Sequence, residues 1–339
     1  MRKIKISFFY TLVLIVGLVF TSTLLKAQSA EEALKQLDVE KFESANSTIK
    51  KAIEKEPSEA SNYFYAGYIY LQQEKLDSAK YFFDKGVSVD AKAPLNYVGQ
   101  GFLALNNNKI QEAQGLFDKA IDLSKEKDPV VYNRIAEALI FADNKDANKA
   151  LSYLNKSLSL KKRDKDKAAS IEATTHLLMG DAYLALKDGG KAISEYEKAV
   201  YIDKTLAKAY AKIGRIYLIP RNYEAAEAEF QKAVEANPNY APIYKDLGEL
   251  YFTKRNISKA KEMYNKYMQL SDVQKGSRSR YAIFVYLTRD YPAAINELKQ
   301  ALTIEPNNIV LHRLLGYSLF QTGDYEAAKE SMDKYFSLV

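Results

Sequence analysis

AKAYAKIGRIYLIPRNYEAAEAEFQKAVEANP, residues 207–238, reads as two amphipathic helices joined by a turn. Tyr210, Ile213, Gly214 and Tyr217 fall at spacings of three, one and three, which puts them on one helical face. Ala226, Phe230 and Ala233 form a second face at spacings of four and three. Tyr223 is expected in the turn, and Pro238 closes the unit.

The same pattern returns every 34 residues when the frame is moved along the chain from Ala207. Towards the C-terminus it gives Tyr244, Leu247, Gly248, Tyr251, Ala260 and Tyr264, then Tyr281, Ala282, Val285, Tyr291, Ala294, Leu298 and Pro306, then Leu315, Gly316, Leu319, Tyr325, Ala328 and Met332. Towards the N-terminus it gives Met179, Gly180, Tyr183, Ala192 and Tyr196, and, after an irregular stretch, two further copies built on Gly101 with Phe117 and Gly67 with Phe83. Ala45, Ile49, Ala52 and Pro57 mark a degenerate first copy. These residues resemble the tetratricopeptide repeat: an aromatic, then x2-Leu-Gly-x2-Tyr, then Ala-x3-Phe, then Pro. The resemblance covers nearly all of residues 28–339. It implies an all-α fold, a right-handed α-solenoid of about nine helix–turn–helix units.

The packing logic supports it. Two short amphipathic helices cannot bury both apolar faces alone, whereas stacked neighbours share one continuous core. Gly67, Gly101, Gly180, Gly214, Gly248 and Gly316 all occupy the eighth place, where a small residue lets the paired helices approach. A mid-helix Gly costs about 1 kcal/mol against Ala, so six in one register have a packing reason. With no Trp in the chain, Tyr63, Tyr97, Tyr132, Tyr210 and Tyr244 take the fourth place. Between residues 128 and 172 the frame carries 11 extra residues, in the turn ADNKDANK and in the charged run Lys161–Lys167. That run suits a hinge, a lengthened helix or a solvated bulge. The expected organisation is an N-terminal segment (1–27), three repeats (28–127), an irregular repeat (128–172) and five more repeats (173–339).

Residues 1–27 contain Arg2, Lys3, Lys5 and Lys26 and no acid, and Phe8–Phe20 is an apolar core of 13 residues. A basic start, an apolar core and Ala27 before Gln28 predict an export signal cut after Ala27. The alternative is an uncleaved anchor, since Ile6–Leu25 is just long enough to span a bilayer. Without this segment the remaining charge is nearly balanced, which argues against a nucleic-acid surface. The absence of Cys excludes disulfides and thiolate metal sites, and fits a periplasmic location.

No catalytic constellation is visible. His176 and His312, the two histidines, both fall at the fourth place and read as packing residues. Asp188–Lys191, DGGK, lacks the strand and glycine spacing of a phosphate loop and sits at a repeat's own turn. No metal, cofactor or enzyme activity is expected.

The family resemblance implies that first helices line a concave groove, mainly through places two, five, six, nine, twelve and thirteen. Those places give an apolar N-terminal zone with Phe64, Tyr68, Leu71, Leu95, Val98, Phe102 and Leu105. They also give a charged central zone with Lys208, Lys212, Arg215, Lys245, Glu249 and Asp181. The candidate partner-binding residues are Lys208, Lys212, Arg215, Lys245, Glu249, Phe64, Tyr68 and Phe102. Lys208 and Lys212 match the basic places of the family's clamp for chaperone C-terminal carboxylates, but Asn133, Glu137 and Leu178 depart from the rest of it. What stays open is a contact to an acidic peptide, against a solvated basic face; the aromatic zone stays open between groove and packing.

The function expected is a non-catalytic scaffold in the cell envelope that holds a peptide or helix segment of a partner protein, with membrane contact only through an uncleaved N-terminus. The Lys-, Asn- and Tyr-rich sequence and the Lys26-Ala27-Gln28 junction resemble exported repeat proteins of Bacteroidota envelopes. The alternative is an interaction module of a larger enzyme, receptor or secretion complex, because no polar solvating helix follows the last repeat before Val339.

Overall fold

A computed structural model describes residues 30–160, 165–272 and 276–339. Residues 1–27, where an export signal is expected, and the first four residues of the Lys161–Lys167 run lie outside the described residues. The chain divides into two compact units, residues 1–202 and 203–339.

The first unit contains α1 (residues 30–38), α2 (Phe42–Lys55), α3 (Ala60–Gln72), α4 (Leu76–Val89), α5 (Pro94–Asn106), α6 (Ile110–Leu123), α7 (Pro129–Phe141), α8 (Ala147–Ser159), α9 (Lys165–Ala185) and α10 (Gly189–Ile202). The second contains α11 (Ala207–Leu218), α12 (Tyr223–Ala236), α13 (Ala241–Thr253), α14 (Ile257–Leu270), α15 (Ser277–Leu287), α16 (Tyr291–Ile304), α17 (Ile309–Thr322) and α18 (Tyr325–Leu338). These 18 helices make nine antiparallel pairs, and no strand occurs among the described residues. Within each unit the second helix of a pair packs on the first helix of the next, and first helices also touch, as α3 does α5 and α5 does α7. Each unit is therefore a solenoid segment with its core running along the stack.

The eighth-place glycines face one partner each. A Cβ built on Gly67, Gly101, Gly180, Gly214, Gly248 or Gly316 would come within 3.0 Å of the side chain at the 24th place: Phe83, Phe117, Tyr196, Phe230, Tyr264 and Met332 respectively. The five rings among these are fully buried. The glycine thus makes room first for the 24th-place side chain, a ring in five of the six repeats, with the paired helix's backbone close behind it at Gly214 and Gly316.

The turn inside the pair has one conformation in eight of the nine pairs, all but α7–α8. Glu40, Glu74, Asn108, Lys187, Arg221, Arg255 and Arg289 sit in the left-handed region with φ from 58° to 62°, and Gly323 holds the same place. The following amide then reaches back five residues, as Lys75 N does to Tyr70 O (3.0 Å) and Asp324 N to Leu319 O (3.0 Å), which closes the helix C-terminus. The next helix opens with Tyr223, Tyr291 or Tyr325, so the tyrosine expected in the turn is the first helical residue. Asp146, Asp188, Asn222, Asn256, Asp290 and Asp324 cap these helices through their side chains. In the N-terminal units Lys41, Lys75 and Lys109 stand at that position without a side-chain cap.

Between pairs, the fourth-place side chain ties the new helix to the loop before it. Tyr63, Tyr97 and Tyr244 donate their hydroxyls to the carbonyls of Pro57 (2.9 Å), Ala91 (3.0 Å) and Pro238 (2.8 Å). His312 Nε2 lies 2.8 Å from the Pro306 carbonyl, the same reach of six residues, so this imidazole does a tyrosine's work. His176 has no such loop beneath it because α9 begins 11 residues earlier, at Lys165. Its Nδ1 lies instead 2.7 Å from buried Glu195, which also pairs with Lys198 at 2.8 Å. The 21-residue α9 shows where part of the irregular stretch goes: it lengthens a first helix. The turn insertion is pinned to the previous unit, with Asn144 donating to the Leu105 carbonyl (2.9 Å) and Asn106 accepting from the Asp143 amide (3.0 Å).

Two stability outcomes follow from these contacts. Gly115 lies mid-helix in α6 with nothing within 4 Å of its absent Cβ, so Gly115→Ala should stabilise by about 0.5–1 kcal/mol. Gly101→Ala, pressed on Phe117, should destabilise by roughly 1–3 kcal/mol of overpacking; equal urea midpoints for the two variants would refute the ring-cradle account. Lys75→Asp and Lys109→Asp introduce the missing caps and place a negative charge at a helix N-terminus. Each should raise stability by about 1 kcal/mol, read as an upward shift of the thermal midpoint, and a fall would show that the lysines are needed there.

Candidate partner-binding surfaces

The N-terminal aromatic zone is built from α3, α5 and α7. Phe64 is only 2% exposed and packs against Phe83 at 5.9 Å between ring centroids. It therefore presents no surface to a partner, which corrects its assignment to the groove: three neighbouring helices meet over it. Tyr68 stacks beside Phe64 and donates its hydroxyl to Glu137 Oε1 on α7 at 2.6 Å. Arg134 completes the cluster, 2.6 Å from Glu137 Oε2 and 4.4 Å from the Tyr68 ring centroid. Burial works against the Arg134 charge, but Glu137 and Tyr68 hold the guanidinium protonated well above its ordinary range. Phe102 is half-buried and packs against the cores of its own and the preceding repeat. The first-helix face of this unit is thus bridged from α3 to α7 by its own side chains.

The charged central zone separates into different roles. Asp181 is buried and accepts a 2.6 Å hydrogen bond from Tyr196. Glu249 accepts one of 2.5 Å from Tyr264 and pairs with Arg280 at 3.1 Å. Both acids hold the ninth place and both tyrosines the 24th, where other repeats carry Phe, Leu or Met. A buried phenol needs an acceptor, and the ninth-place acid supplies it. Burial, reinforced by Glu249, pushes the Tyr264 phenol well above its ordinary value. Arg215 is exposed and spans to the next helix, pairing with Asp246 through Nε (2.9 Å) and Nη2 (2.8 Å). Lys245 is exposed and lies 5.9 Å from the Tyr267 ring centroid. Lys208 and Lys212 are half-buried on α11. Asp188 caps α10, accepting from the Lys191 amide at 3.0 Å, so DGGK is a helix start. That bond, with the Lys191 ammonium beside it, holds the Asp188 carboxyl below its ordinary value.

An open groove lies further along the second unit, between α15 and α17. It is a cavity of about 430 Å³ whose lining includes Ile283, Tyr286, Leu287, Val310, Arg313 and Tyr317. Tyr286, Tyr291 and Tyr317 form a ring cluster with centroids 6.0–6.2 Å apart, and burial raises the Tyr286 phenol above its ordinary value. Arg313 is the one charged residue of the lining. These residues occupy the same repeat places that pointed to the two earlier zones, so the signal was present in the units starting at Lys275 and Ile309. Among the described residues no cluster of His, Asp or Glu is arranged to hold a metal ion, and no helix is long and apolar enough to cross a membrane.

No curated protein matches this sequence. Among solved structures, the human IFIT1 dimer with m7Gppp-AAAA is 16% identical, with 88% of this chain and 68% of that one covered and a TM-score of 0.53. The human IFIT1 dimer with PPP-AAAA gives 16%, 88%, 69% and 0.52. A chain of the APC/C hetero-tetramer Cut9-Hcn1 is 17% identical over 85% of this chain, with a TM-score of 0.49; this chain spans about half of it, 54%. At these identities the IFIT1 likeness is one of fold alone. Sequence models described as tetratricopeptide repeat match residues 30–94, 173–206, 217–270 and 287–335, together more than half of the chain. Repeat frame, paired helices and matched models agree, and the chain belongs to the tetratricopeptide repeat family.

Proposed function

We propose that this protein is an exported, non-catalytic scaffold that holds a segment of a partner protein in the α15–α17 groove. The observation that carries the reading is that groove, a 430 Å³ opening on the face of the first helices with apolar and tyrosine walls and one arginine. Apolar walls with few placed polar groups are the general build of a binding cleft. Its volume suits a short segment carrying apolar side chains, and Arg313 suits an acid on that segment. Repeat folds of this family generally serve protein partners. The near balance of charge beyond residue 27 favours a protein over nucleic acid here too.

The acidic-peptide contact at Lys208, Lys212, Arg215 and Lys245 is a weaker candidate. Arg215 already has Asp246, and a partner would have to displace that pair. Release into the periplasm rests on the basic, apolar and small-residue order of residues 1–27 and on the absence of Cys.

Affinity capture from a cell-envelope fraction tests the groove. Val310→Glu and Ile283→Glu place a charge in its wall and should lower recovery of the enriched partner at least tenfold, while Lys208→Glu with Lys212→Glu should leave it within twofold. A partner recovered equally by wild type and the groove variants would sink the assignment. Mass spectrometry of the mature chain should find Gln28 at the N-terminus; retention of residues 1–27 would instead establish the tethered form.

A further inference from the structure

Ion pairs bridge the first-helix face of the second unit at two of its three junctions. Arg215, at the ninth place of α11, pairs with Asp246 at the sixth place of α13 at 2.8 Å. Glu249, at the ninth place of α13, pairs with Arg280 at the sixth place of α15 at 3.1 Å, with the charges reversed. Both pairs span 31 residues. The same step at the third junction leads from Ile283 of α15 to Leu314 of α17, and both side chains line the groove. No ion pair can form between them, and the walls around them stay apolar and open: Leu287 is 41% exposed, Val310 43% and Tyr317 45%. The groove therefore lies where the chain bridges its other two junctions.

The cations of the groove narrow its occupant. Five arginines stand on the described first helices, and four are paired with carboxylates: Arg134 with Glu137, Arg215 with Asp246, Arg278 with Glu297 and Arg280 with Glu249. The fifth, Arg313, lines a groove that has no acid in its wall, and it forms no ion pair among the described residues. A second guanidinium comes from the turn after α15. Arg289 is exposed, and its side chain forms no ion pair among the described residues. Burial and the Tyr317 and Tyr291 phenols raise the Tyr286 phenol, while Arg313 and Arg289 both draw it down, so both guanidiniums lie near that hydroxyl. Two cations from separate elements beside one apolar slot are matched by two anionic groups. A chain terminus supplies one carboxylate, whereas a pair of acidic side chains supplies both. We infer that the segment held in this groove carries an apolar side chain for the Ile283–Leu314 junction and two acidic side chains for Arg313 and Arg289. The inference rests on the reading of this groove as the partner site.

The test is a selection of short displayed peptides on the full chain, followed by titration of the enriched sequences as synthetic peptides with amidated C-termini. The enriched peptides should share an apolar residue beside two acids. Changing either acid to its amide should lower affinity at least fivefold, as should Arg313→Gln and Arg289→Gln, and added salt should weaken binding. The double variant Ile283→Glu with Leu314→Arg writes the neighbouring ion pair into this junction and should lower affinity at least tenfold with the helical signal intact. If that variant loses helical signal, Val310→Glu on the exposed wall carries the comparison. Peptides lost in the groove variants yet indifferent to Arg313→Gln and Arg289→Gln would overturn the acidic pair and leave the groove as the partner site. Peptides indifferent to the groove variants would remove the groove reading and this inference with it. Loss of binding on amidation would identify a chain-terminal carboxylate as the anion, and no enrichment at all would leave the groove without such a ligand; either result overturns the inference.

Discussion

A glycine backbone pressed against a buried ring is the contact on which this structure depends. Removing the Cβ at the eighth place lets the 24th-place side chain fill the space between paired helices. The same ring then receives the next unit, as Phe83 touches both Gly67 and Gly99. One side chain therefore sets the spacing within a pair and between pairs. Close-packed interiors transmit such constraints because they have no slack to absorb them. A solenoid built this way gains its stability from repeated nearest-neighbour contacts rather than from one central core.

That constraint reaches the surface. Where the ring is Phe, the ninth place of the first helix is unconstrained and carries Tyr68, Phe102 or Arg215. Where it is Tyr, the hydroxyl must be satisfied inside, and the ninth place carries Asp181 or Glu249. Two of the acids that colour the first-helix face are thus dictated from within the core. A charge on a binding surface is evidence of recognition only after the core's demand on it has been removed. Once these acids and the paired Arg215 are set aside, the apolar α15–α17 groove stands out.

The repeat period made the fold legible, because the eighth-place glycine and the alanine 12 residues after it, as in Gly214 with Ala226 and Gly248 with Ala260, recur in a fixed register. The left-handed turn residue was not legible. Seven of its eight occupants are charged or Asn side chains, which tolerate that backbone only at about 1–2 kcal/mol each, and the repeated geometry rather than a glycine signals the place. The surfaces were legible in part. Arg215 with Asp246 links residues 31 apart, and Tyr68 with Glu137 links residues 69 apart. The first crosses one repeat boundary and the second crosses two, so neither appears when each helix is scanned alone. Phe64 looked like groove because its place is right, yet neighbours on either side bury it.

These differences decide where a partner can be held. On α3 and α7 the chain spends its own phenol, carboxylate and guanidinium on one another, and a ligand there would have to replace a charged hydrogen-bonded cluster with contacts at least as good. On α15 and α17 no such cluster stands in the way: the groove between them is walled by apolar side chains and tyrosines, and Arg313 is its one charged residue.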